Sequence, residues 1–97
     1  MKKTFQKDLI AQVNHRTGIS RSAVEEIISA TFDVITENLK SGYETQITGF
    51  GKFYLEHRNA RTGRNPHTGE AVPIPARLIP SFEAGKLLKE KTSREVK

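Results

Sequence analysis

Arg58, Arg61 and Arg64 recur at every third position, and no acidic residue interrupts the stretch from His57 to Gly69 that holds them. A guanidinium is always charged and presents a planar fork of donors, so a track of them free of carboxylates suits phosphate oxygens. Asn65 and Pro66 follow directly. Proline presets the backbone for a turn, and Gly69 permits the positive φ that closes it. A rigid apolar ring at the tip of a cationic hairpin can also wedge between base pairs, at an unstacking cost of a few kcal/mol that flanking arginines offset. Taken singly, each feature has a plainer alternative: a solvated basic loop, and an ordinary Asn-Pro turn.

The remaining reactive side chains form no catalytic constellation. Asp8 and Asp33, the chain's two aspartates, fall on expected helices with no histidine or second carboxylate beside them in a recognisable motif. His15, His57 and His67 lack metal-ligand spacing, and with no cysteine there is neither a thiolate zinc site nor a disulfide framework. Gly49-Phe50-Gly51 lacks the third glycine and the Lys-Ser/Thr pair of a phosphate loop, and it opens a strand, so it reads as a tight turn. The expectation is a protein that is no enzyme, with no metal, cofactor or small-molecule substrate.

The arginines need a support that projects. Four arginines and three prolines lie between His57 and Arg77, with few bulky apolar residues to anchor the segment to a core. It reads as a hairpin with sides from about residue 56 to 65 and from about 69 to 76. At ~3.3 Å per residue such a ribbon extends about 25 Å, enough to reach around a duplex. Val72 and Ile74 alternate with Pro73 and Pro75, which leaves backbone sites without donors and suits an edge or a free ribbon. A lone two-stranded ribbon is marginally stable in water, so it gains order from what it grips.

Around this ribbon the spacing predicts a first helix over about residues 5–15, capped by Thr4 and stopped by Gly18. A second helix starts at Ser20 or Ser22, where Ser22 and Glu25 match a capping box, and stops at Gly42. Its stripe of Val24, Ile27, Ile28, Thr31, Ile35 and Leu39 is widened by Ala23, Phe32 and Val34. So broad an apolar surface calls for a second subunit. Thr45 with Ile47, then Phe53 with Leu55, alternate as in a hairpin around Gly49 and Gly51. Ser81 is expected to cap a short last helix, with Phe82, Leu87 and Leu88 as packing residues and Lys86, Lys89 and Lys91 exposed or toward its end.

The chain has 97 residues and a net charge of +5, and the charge is uneven: six Lys/Arg against six Asp/Glu through Phe50, then ten against five. That length fits one domain, and one this small is thinly stabilised if it stays alone. The first ten residues lack the unbroken apolar run of an export signal, and no stretch approaches the ~20 residues of a membrane span. A soluble, cytoplasmic protein without membrane partners is expected.

With these residues in view, the sequence resembles the bacterial HU/IHF family of histone-like DNA-bending proteins. The resemblance runs from "DLI" at residue 8 to "LLKEK" ending at 91, with "GFGKF", "RTGRNPHTGE" and "IPSFEAGKLLK" in the family's order and spacing. It implies an α+β fold and an intertwined dimer with a helical base, three-stranded antiparallel sheets and two extended β-ribbon arms over about residues 56–76. It further implies a nucleoid-associated protein that binds double-stranded DNA in the minor groove with weak sequence specificity. By position, Pro66 is the intercalating tip, Arg58, Arg61, Arg64 and Asn65 are arm contacts, Arg77 lies at the arm base, and Lys86 and Lys3 complete the DNA-binding set. Phe50, Phe53 and Phe82 match core aromatics. A homodimer is expected, with a heterodimer of related subunits as the alternative. Departures are Phe5 at a position where relatives often have a capping residue, and Glu56 at a position often basic, which weakens the grip. Pro73 and "IPAR" lean toward the integration-host-factor branch, for which a sequence preference is the alternative. An RNA-binding chaperone shares the charge but usually displays aromatic stacking platforms, and residues 57–77 carry no aromatic except histidine. A module whose arm binds an acidic protein is a further alternative.

Overall fold

A computed structural model describes residues 2–94. In chain order the elements are α1 (Gln6–Thr17), α2 (Arg21–Lys40), β1 (Thr45–Ile47), β2 (Gly51–Arg58), β3 (Arg61–Arg64), β4 (Ala71–Ile74), β5 (Arg77–Ala84) and α3 (Lys86–Thr92). Two compact units divide the chain after Glu37, and each is described by itself.

In the first unit, α1 begins one residue later than the Thr4 cap would place it. Phe5 holds the cap position, and its N–H donates to Asp8 Oδ2 at 3.0 Å. The first-turn carboxylate accepts the cap residue's own N–H, the reciprocal half of a capping box, and it sits at the positive end of the helix dipole. Gly18 stops the helix with φ 75°, its N–H donating to the Asn14 carbonyl at 2.8 Å. For α2 the cap is Ser20, whose Oγ accepts the Ala23 N–H at 3.2 Å, while Ser22 already lies inside the helix. Among the described residues the buried apolar side chains are Ile10 on α1 and Val24 and Ile35 on α2. Ile27, Phe32 and Val34 on α2 each remain more than half exposed.

In the second unit, β1, β2 and β5 form an antiparallel sheet in the order β1-β2-β5. Thr45 opposes Phe53, Phe53 opposes Phe82, and the long β2–β5 pairing runs from Gly51 opposite Ala84 to Arg58 opposite Arg77. Side chains alternate along each strand, so Phe53, Leu55, Pro80 and Phe82 share one face and Lys52, Tyr54, Glu56, Arg58, Arg77, Ser81 and Glu83 share the other. Ser81 and Phe82 therefore belong to a strand, not to the start of the last helix. Pairing of eight residues with β2 and the Phe53–Phe82 ring contact outweigh the local capping signal of Ser81. The helix starts at Lys86 after Gly85, whose N–H donates to the Phe50 carbonyl at 2.8 Å.

The strands β3 and β4 form a separate two-stranded sheet. Asn59 and Ala60 on one side, and Pro75 and Ala76 on the other, interrupt the ladder between it and the three-stranded sheet. Pro73, which opposes Thr62, and Pro75 in the gap both lack the N–H that a continuous ladder would use.

Candidate nucleic-acid interface

The arm alternates with a period of two, whereas its arginines recur with a period of three. Arg61 thus shares a face of the ribbon with Gly63, Val72 and Ile74, and Arg64 lies on the opposite face. The positive charge wraps the ribbon. Ile74 lies across Gly63, its Cδ1 only 2.8 Å from where a Cβ would stand, so the absence of a side chain there gives the arm its small apolar contact.

At the tip the chain closes on itself around Pro66. The Asn65 Oδ1 accepts the His67 N–H at 2.9 Å, the Gly69 N–H donates to the Asn65 carbonyl at 2.8 Å, and the Asn65 N–H donates to the Glu70 carbonyl at 2.9 Å. Gly69 takes the positive φ of 74° that this closure requires. Arg64 Nη1 donates to the Gly69 carbonyl at 3.1 Å and braces the turn from the strand below. Pro66 is exposed at the end of this held loop, while Asn65 gives its side-chain oxygen to the turn.

At the arm root, Arg58, Arg61 and Arg77 line one recess of about 110 Å³ with Asn59, Ile74, Pro75 and Ile79. Arg58 Nη2 lies 3.2 Å from Glu56 Oε2, and Ser81 Oγ donates to the same oxygen at 3.4 Å. Further down this face Lys52 Nζ sits 3.4 Å from Glu83 and 3.9 Å from Glu44, with the Tyr54 ring centroid at 5.5 Å. The polar face thus runs from a charge-balanced lower part to an arginine-rich upper part.

The structure brings together the sequence-selected residues in two groups: Arg58, Arg61 and Arg77 at the root, and Arg64, Asn65 and Pro66 at the tip. Lys86 opens α3 and lines a different hollow of the same unit, beside Phe50 and Leu87. Lys3 precedes α1 in the first unit and is exposed. The sequence reading missed Asn59 as a lining residue of the recess, and it missed the grip of Glu56 on Arg58. Two-residue spacing on a strand places both side chains on one face, and that signal was available. Among the described residues no cluster of three or more His, Asp or Glu is placed to hold a metal ion, and no helix is long and apolar enough to cross a membrane.

Comparison with known proteins agrees with this geometry. The family model described as bacterial DNA-binding protein matches residues 4–93. The chain is 46% identical over 85 residues to DNA-binding protein HU of Lactococcus lactis, covering 88% of this chain and 93% of that one. It is 45% identical over 83 residues to DNA-binding protein HU 2 of Bacillus phage SPbeta, covering 86% and 90%. Among solved structures it is similar to Anabaena HU in a cocrystal with DNA, with a TM-score of 0.89, 34% identity, and coverage of 95% of this chain and all of that one.

Proposed function

Because the chain belongs to the bacterial DNA-binding protein family, we propose that it is an architectural protein that binds duplex DNA as a dimer and bends it. The arms enter the minor groove, Arg58, Arg61, Arg64 and Arg77 engage phosphates, and Pro66 inserts between base pairs. Lys86 and Lys3 add contacts outside the arm. The observation that carries this reading is the tip: an exposed proline on a turn locked by Asn65, Gly69 and Arg64, at the end of a ribbon whose positive charge lies on both faces. A protein of this kind does no catalysis and works in the cytoplasm on the nucleoid.

Dimerisation follows from what one chain leaves uncovered. Three buried apolar side chains among the described residues cannot offset an ordering cost of about 1–2 kcal/mol per residue. The exposed Ile27, Phe32 and Val34 of α2 are the surface that a second copy covers. Duplex DNA is favoured over single-stranded RNA because the arm offers arginines and proline but no aromatic platform on which unpaired bases could stack. The test is competition. Fluorescence anisotropy with a labelled duplex should show binding that weakens steeply with salt and is displaced by unlabelled duplex far better than by single-stranded RNA of equal length; preference for the RNA would overturn the reading.

A further inference from the structure

The upper end of the three-stranded sheet sets Arg58 and Arg77 directly opposite each other. Like charges across an antiparallel pair destabilise it unless something negative lies beside them. Arg61, the first residue of β3, lines the same recess. A space of about 110 Å³ holds a few water volumes of ~30 Å³ each, enough for one phosphate group. In the free protein the negative partner of this cluster is Glu56, whose Oε2 is shared between Arg58 Nη2 and Ser81 Oγ. Ser81 lies across the sheet on β5, so the carboxylate is steered toward Arg58 by both strands.

We infer that Glu56 is an internal stand-in for phosphate: its carboxylate occupies Arg58 in the free protein, and a phosphate group entering the recess of Arg58, Arg61 and Arg77 displaces it. The pair is open to solvent, with the Arg58 and Glu56 side chains 61% and 41% exposed, so its hold is weak enough for a phosphate to break. Glu56 therefore lowers the affinity of the whole interface and flattens its salt dependence, because a phosphate that faces both a guanidinium and a displaced carboxylate is only partly neutralised. The inference rests on the proposed duplex binding for the source of the phosphate. The recess itself would accept any phosphate group.

The experiment uses the full chain as wild type, Glu56→Gln, Arg77→Gln and the double variant, with circular dichroism to confirm that each folds. In anisotropy titrations with a labelled duplex, Glu56→Gln should bind about two- to fivefold more tightly at physiological salt, with a salt slope steeper by up to about one unit. The gain should shrink in the Arg77→Gln background, since the two residues share one ligand. Equal or weaker binding by Glu56→Gln overturns the inference. A second arm uses inorganic phosphate alone, followed by the NMR signals of the arginine Nε–H groups. Those of Arg58 and Arg77 should move together, and at lower phosphate concentration in Glu56→Gln than in wild type; signals that stay still, or move alike in both proteins, overturn the phosphate seat. If wild type fails to bind duplex while the phosphate arm succeeds, the proposed function fails and the seat stands as a site for free phosphate.

Discussion

Phe53 and Phe82 meet across the β2–β5 pair with ring centroids 5.0 Å apart and planes inclined at 51°, and Phe82 also meets Phe50 at 5.5 Å. Gly51 sits beside this cluster. A Cβ at Gly51 would collide with the Glu83 carbonyl oxygen and stand 2.6 Å from the Phe82 ring. Neither neighbour is the loose end of a flexible chain, because one is backbone and the other is held by two rings.

Gly51→Ala is therefore expected to destabilise the protein by about 1–3 kcal/mol through overpacking. Gly63→Ala provides the contrast, since the atom it meets is the end of the Ile74 side chain, which can swing away. Urea denaturation of both variants should show a large loss for Gly51→Ala and a small one for Gly63→Ala.

Arg61→Ala should lower affinity for unrelated duplex sequences alike and reduce the salt slope by about one unit, because it removes one phosphate contact and no base readout. Anisotropy titrations across a salt series measure both quantities. An unchanged slope would remove Arg61 from the contact set.

Pro66→Ala should leave the fold intact, since Pro66 is exposed and the turn is closed by the bonds of Asn65 and Gly69. Bending, read as energy transfer between dyes at the two duplex ends, should fall. Asn65→Ala should also reduce bending, by loosening the turn that presents the ring, and hydrogen exchange at the His67 amide would report that loosening directly.

Thermal unfolding should depend on protein concentration. If the exposed face of α2 is covered by a second copy, raising the concentration about a hundredfold raises the melting temperature, as mass action requires for a folded dimer and unfolded monomers. Ile27→Glu should lower the melting temperature at every concentration, because it buries a charge in the proposed contact.

The helices and the arm could be read from the chain because their signals are local. Gly18 and Gly42 stop helices, Gly69 closes the tip, and the prolines at 73 and 75 mark a ribbon outside the main ladder. What could not be read depends on partners distant in sequence. Ser81 carries a local capping signal, yet its place is fixed by Tyr54, opposite it on β2. Choosing Ser20 over Ser22 as the cap turns on which hydroxyl meets the free amide of Ala23, a shift of two residues in where the helix begins. Which β4 residues share a face with Arg61, namely Val72 and Ile74, emerges only once the register of β3 against β4 is known.

The interruptions at Asn59-Ala60 and Pro75-Ala76 sit at the same level on both sides of the ribbon. With no ladder pairing at this level, the direction of the arm is set by the backbone torsions of these few residues, separately from the registers held above and below.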